Sequence, residues 1–262
     1  MCLINFQFQQ HPNYKLIVAA NRDEFLARPT KRAHFWEDEP QILAGRDLEK
    51  MGTWLGVTTS GRFAALTNFR DPNERTEGKS SRGDIVRSFL SGRMEAEVFL
   101  QRLREDKVHY PSFNVIVGTA DSLWYYNNRQ DEITKMVPGT HSLSNAFLNT
   151  PWPKMERGKQ SLESCVHNKM IVDANCLLTS LQSEEQAADE ELPQTGVSLQ
   201  WERLLSSMFI NSEQYGTRSS TVLTIDRNDR VQFIERTYTN GRCTAEEPFH
   251  FVIEKNEADP FG

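Results

Sequence analysis

Cys2 carries a thiol one residue behind Met1. Methionine aminopeptidases remove an initiator Met when the next side chain is small, and Cys is small enough. Removal leaves a thiol and a free α-amine on one residue. Their reference pKa values are about 8.5 and about 7.7–8.0. Near neutral pH part of the amine is therefore unprotonated and can take the thiol proton. The chemistry this offers is attack on an acyl carbon by a nucleophile with its own base. On position alone, Cys2 reads more simply as a small apolar residue at the start of a strand. The rest of the chain has to supply the groups that would favour the thiolate and hold an oxyanion.

Other candidates are few. Cys165, Cys176 and Cys243 form no C-x-x-C pair, and the cysteine spacing points to neither a zinc site nor a disulfide framework. The six histidines are scattered without an H-x-x-x-H. No Walker A, G-x-G-x-x-G or G-x-S-x-G motif occurs, so neither a cofactor nor a metal is expected. The 262 residues are 38% hydrophobic and 25% charged with a net charge of -6, an ordinary soluble balance. No long basic run exists, which argues against a nucleic-acid partner. No apolar stretch approaches the length of a membrane span, which argues against membrane insertion. The early apolar run at 16–20 is too short for a secretory signal, and cytoplasmic residence is the expectation. Nothing in the sequence fixes an oligomeric state.

The elements that must position Cys2 follow from periodicity. Residues 2–8 read as a strand, and 15–21 as a second, buried strand ending in the polar run Asn21-Arg22-Asp23-Glu24. Residues 53–60 and 62–69 form a hairpin about Ser60-Gly61, ending near Asn68. Ser81-Arg82-Gly83-Asp84 resembles a capping box opening an amphipathic helix, and 94–107 reads as another helix. Strands follow at 113–119, 123–126 and 140–145. Residues 153–183 turn helical with a break near Asp173, 183–196 is an acidic exposed loop, and 198–208 is a short helix. Strands at 219–226, 230–238 and 248–254 close the chain, with Cys243 in a late turn. Strands at both ends with helices grouped between favour an α+β fold with antiparallel sheets. A four-layer αββα sandwich, helices outside two sheets, fits the grouping as one domain over 1–262.

Seven short segments then fall into a recognisable order: MC at the start, AANRDEF at 19–25, GTWLGV at 52–57, ALTNF at 65–69, PGTHSLSNA at 138–146, TPW at 150–152 and YGTRSSTV at 215–222. Together they resemble the NRDE family, that of the transport and Golgi organisation protein 2, over residues 1 to about 240. That family is similar to cysteine N-terminal-nucleophile hydrolases of the choloylglycine hydrolase and penicillin V acylase group. The resemblance implies an αββα fold in which Cys2 attacks an amide. It implies roles for Asp23 in holding the α-amine, for Asn145 and Asn68 in supporting the oxyanion, and for Arg218 beside the nucleophile. The pattern departs in one place: the acylases read R-N-x-D, whereas here Ala20 precedes Asn21, Arg22 and Asp23. Arg22 thus stands where an apolar residue is usual, and is the remaining candidate for a cation at the thiol.

The resemblance also implies an alternative. Family members have been connected with haem handling, lipid or acyl-CoA metabolism and secretory-pathway organisation. Two readings are carried forward. One is a hydrolase or acyl transferase acting on a small amide or thioester. The other is a non-catalytic carrier whose pocket takes a hydrophobic ligand such as haem or a lipid, lined by Trp36, Trp54 and Trp152.

Overall fold

The fold is that of a computed structural model describing residues 2–254. Met1, whose loss the Cys2 chemistry requires, and residues 255–262 of the expected domain lie outside the described residues. One six-stranded antiparallel sheet is ordered β10-β1-β2-β11-β12-β13. It contains β1 (Cys2–Phe8), β2 (Tyr14–Phe25), β10 (Gly139–Leu143), β11 (Tyr215–Asp226), β12 (Arg230–Thr239) and β13 (Arg242–Val252). A seven-stranded antiparallel sheet runs from β3 to β9 in chain order. Its strands are β3 (Thr30–Phe35), β4 (Ile42–Asp47), β5 (Leu55–Thr58), β6 (Arg62–Asn68), β7 (Phe113–Thr119), β8 (Ser122–Asn127) and β9 (Glu132–Lys135).

The two sheets stack face to face. Ile4, Phe6, Leu16, Val18, Leu223 and Phe233 from one meet Leu43, Val57, Phe63 and Ile116 from the other in one apolar layer. Two helices, α1 (Gly83–Ser91) and α2 (Ala96–Glu105), bury Ile85, Val86, Phe89, Leu90 and Leu100 against the outer face of the seven-stranded sheet. On the other side α3 (Pro153–Val166) and α4 (Ala174–Ser180) bury Leu162, Leu177 and Leu178 against Ile17, Ala19 and Val222. A further helix, α5 (Leu199–Ser206), precedes β11. The architecture is therefore the αββα sandwich, and period-2 alternation explains it: along β2, Leu16, Val18 and Ala20 face between the sheets while Ile17 and Ala19 face the helices.

Several expectations are corrected. The polar run 21–24 does not end the strand: β2 continues through it to Phe25, paired to β11 throughout and to β1 as far as Arg22. A central strand can hold such residues because side chains from β11 satisfy them. Thr217 Oγ1 donates to Asp23 Oδ1 (2.7 Å) and Ser220 Oγ to Asn21 Oδ1 (2.5 Å). Cys165 and Cys176 form a disulfide, with Cα atoms 5.8 Å apart, because the turn between α3 and α4 folds residues eleven apart in sequence onto each other. Cys243 lies in β13 rather than in a turn. The capping box is not made: Arg82 occupies the cap position of α1 and no side chain caps it. Strands β3, β4 and β9 were not expected.

Candidate active site

Cys2 is the first residue of β1, opposite Arg22 of β2. By alternation with Ile4 and Phe6, its side chain belongs to the face between the sheets. There it lines a cavity of about 290 Å³ together with Arg22, Asp23, Trp54 and Asn68. This is a small-molecule volume. The cavity carries five cationic side chains, Arg22, Arg28, Lys50, Lys79 and Arg82, against three carboxylates, Asp23, Glu24 and Asp47. Among the described residues no cluster of His, Cys, Asp and Glu is placed to hold a metal.

The cavity wall is built by close approaches. Trp54 packs against Gly45, where an added Cβ would collide with the indole Cη2. Its ring carries the Arg22 guanidinium at 4.0 Å from the centroid, a cation–π contact. Arg22 also donates to Thr30 Oγ1 (2.9 Å) and comes within 3.9 Å of Asp47 Oδ2. The side chain is 5% exposed, so its charge acts on Cys2 with little solvent screening.

Burial pushes the Cys2 thiol up, and the Asp23 carboxylate adds to this. Arg22 opposes it, as does a hydrogen bond from the Asp23 backbone. Burial likewise pushes the Asp23 carboxyl up, opposed first by the Lys154 ammonium. Asp23 is held in place by Thr217, and Tyr215 Oη donates to its carbonyl at 3.0 Å.

The remaining candidates are placed less directly. Asn68, at the end of β6, lines the cavity. Asn145 is buried behind it, its Nδ2 donating to the Asn68 carbonyl at 2.8 Å. Neighbouring Ser144 Oγ donates to the Cys2 carbonyl at 2.9 Å. Arg218 is outside the lining; its Nη1 donates to the carbonyls of Phe25 (3.0 Å) and Arg28 (2.9 Å) and pins the turn after β2. The structure thus brings Cys2, Arg22, Asp23 and Asn68 to one cavity, with Asn145 supporting Asn68 and Arg218 set apart. Of the tryptophans, Trp54 lines the cavity. Trp36 is buried against α1 with its indole N–H on the Ala44 carbonyl (3.1 Å), and Trp152 packs on Leu3, Met155 and Met208.

Three features escaped the sequence reading. Asn114 of β7 donates to Thr67 Oγ1 (3.0 Å) and the Ala146 carbonyl (3.0 Å), and accepts from Tyr125 Oη (2.7 Å), fixing the loop that carries Asn145. Nothing in the sequence signals that network. Arg82, whose surroundings include Cys2, donates to the Ser112 carbonyl (3.1 Å) at the start of α1. Lys154 sits fully buried in the first turn of α3. A lysine there opposes the helix dipole, and that is a signal legible in TPWPK.

The chain matches the family model described as Transport and Golgi organisation 2 over residues 1–240. The Transport and Golgi organization 2 homolog of Mus musculus is 35% identical over 257 residues, covering 90% of this chain and 93% of the relative. The Transport and Golgi organization protein 2 of Drosophila melanogaster is 30% identical over 271 residues, covering 91% and 93%. Among solved structures, the C2A mutant of the conjugated bile acid hydrolase from Clostridium perfringens aligns over 97% of each chain with a TM-score of 0.53 at 8% identity. That likeness is one of fold, of the N-terminal-nucleophile hydrolase type.

Proposed function

Because the chain belongs to the transport and Golgi organisation 2 family, we propose that it is a cysteine N-terminal-nucleophile hydrolase or acyl transferase acting on a small amide or thioester. The observation that carries this reading is Cys2 at the head of β1, opening into a cavity it shares with Arg22, Asp23 and Asn68. The excess of cationic side chains around the cavity favours a substrate with an anionic group.

In this mechanism, loss of Met1 frees the Cys2 α-amine, which takes the thiol proton. Arg22 stabilises the thiolate. The sulfur attacks the carbonyl carbon, and the Asn68 amide donates to the developing oxyanion. Asn145 holds Asn68 through its carbonyl, and Arg218 holds the turn after β2, so both act by positioning. Collapse breaks the bond to the leaving amine or thiol, which takes the proton from the α-ammonium. Water, or an acceptor, then cleaves the acyl thioester, returning the proton to the amine. We place the activity in the cytoplasm, where the Cys165–Cys176 bridge is subject to reduction.

A second reading has one observation of its own: Cys2 is a buried free cysteine, which suits an apolar contact in a carrier of haem or a lipid. The charged lining then receives the ligand's polar end. The two separate in one experiment. Protein shown by intact mass to lack Met1 is offered acyl amides and thioesters with and without a carboxylate or phosphate. Turnover with a transient acyl adduct, both abolished in Cys2→Ala, is expected. Binding unchanged in Cys2→Ala with no adduct and no turnover would overturn the hydrolase in favour of the carrier.

A further inference from the structure

Lys154 is the second residue of α3, behind Pro153. It is 1% exposed, and among the described residues its Nζ has no hydrogen-bond acceptor. Its place is tightly determined. The adjacent Met155 packs on Leu3, the residue next to Cys2. One turn on, Gly158 presses on Asn5 of β1 so closely that a Cβ would come within 2.5 Å of the Asn5 amide. The first turn of α3 is thus clamped beneath the opening residues of β1. A buried cation in a helical first turn is disfavoured by desolvation and by the dipole. A methionine would fill the same space without either cost, so packing alone does not account for a lysine.

The charged groups around it come from every neighbouring element: Cys2 on β1, Asp23 on β2, Arg70 after β6 and Glu202 on α5. Tyr215 on β11 reaches Asp23 through the Asp23 carbonyl. Arg70 and Glu202 are already paired at 2.8 Å, both nearly fully buried. Asp23 is the carboxylate on which the Lys154 charge acts most strongly against burial. This is the same carboxylate that the family resemblance gives to the α-amine of Cys2.

We infer that Lys154 is a positioning residue that shares Asp23 with the Cys2 α-amine and, as a second cation at that carboxylate, keeps the amine unprotonated and able to act as base. The inference rests on the hydrolase reading for the freed amine. A lone carboxylate would hold the amine as ammonium, useless as a base; a competing cation removes that bias, as neighbouring cations do for catalytic amines elsewhere. Consistent with its surroundings, burial brings the Lys154 ammonium itself down to about 8.

The test reads the amine, not turnover. Protein lacking Met1, labelled with 15N-cysteine and 15N-lysine, is titrated by NMR as wild type, Lys154→Met and Lys154→Arg. In Lys154→Met the amine's pKa is expected to rise by about 1–3 units, a tenfold or greater loss of neutral amine at pH 7. Lys154→Arg keeps the wild-type value because the cation stays. Equal values in wild type and Lys154→Met, or an Arg variant that behaves as the Met variant, would overturn the inference. Should Lys154→Met fail to fold, wild type alone decides. The amine and Lys154 are expected to titrate as a coupled pair in two shared steps, and independent single-step curves refute the coupling. Failure of the hydrolase reading would show separately, as absent turnover with the coupling intact.

Discussion

Glu235 offers the sharpest test of how the cavity is supported. It lies on β12, is 2% exposed, and its Oε1 accepts the Ala33 backbone N–H at 2.7 Å, tying β12 to β3 of the opposite sheet. Its Oε2 sits against Gly45 beneath Trp54. Burial raises its carboxyl from 4.5 to about 7, against the hydrogen bond from Ala33 and the charge of Arg22. A carboxyl whose folded pKa exceeds its unfolded value weakens the fold once pH passes the unfolded value, and the cost is complete above the folded one. The shift from 4.5 to about 7 corresponds to about 3 kcal/mol at 1.36 kcal/mol per unit. Glu235→Gln keeps an acceptor for Ala33 and removes the ionisation. Relative to the variant, the wild type is therefore expected to lose about 2–3 kcal/mol between pH 5 and pH 8.5, most of it between 5 and 7. Urea denaturation at several pH values measures this directly. A stability difference independent of pH would refute the reasoning, because the carboxyl would then be ionising normally.

Two further outcomes follow. Denatured but unreduced protein from aerobic purification is expected to give two reactive thiols, Cys2 and Cys243, and four after reduction; four before reduction would refute the Cys165–Cys176 bridge. Arg70→Met leaves Glu202 buried and unpaired, an expected loss of about 3–5 kcal/mol. The double variant with Glu202→Gln is expected to lose less than Arg70→Met alone, measured by urea denaturation.

The layers of the fold were legible because alternation and helical spacing are local. Phe113–Thr119 and the hairpin through Gly61 read directly, as did the helices, with α3 and α4 split near Asp173. The site was legible in its residues but less so in its geometry. Asn21 to Asp23 looked like the end of a strand because charged residues in a strand interior are disfavoured without partners. Their partners, Thr217 and Ser220, lie nearly 200 residues away. Strand β3 carries a single buried residue, Ala33, so no alternation marked it. The disulfide depends on a helix–turn–helix angle that no spacing rule fixes. Arg22 and Arg218 could not be ranked by sequence: only the register Cys2↔Arg22 puts the first beside the thiol, and only the carbonyls of Phe25 and Arg28 show where the second is engaged.

On the hydrolase reading proposed above, the identity of the base is the point on which the chemistry turns. Burial pushes the Cys2 thiol up against the charge of Arg22, so attack calls for a group to take the thiol proton. Among the described residues no histidine lines the cavity. Asp23 is engaged by Thr217, and as the carboxylate that answers Lys154 its charge is committed to a cation. Lys154 is clamped beneath β1 on the helix side, whereas the thiol belongs to the face between the sheets. The side chains of Arg28, Lys50, Lys79 and Arg82 present hydrogen-bond donors, suited to holding an anion rather than to taking the thiol proton. What is left is the nitrogen of Cys2 itself, which can accept a proton only when it is an amine rather than an amide. The strand that fixes Cys2 against Arg22 also fixes that nitrogen at the head of β1, so on this reading the loss of Met1 is the event on which the nucleophile depends.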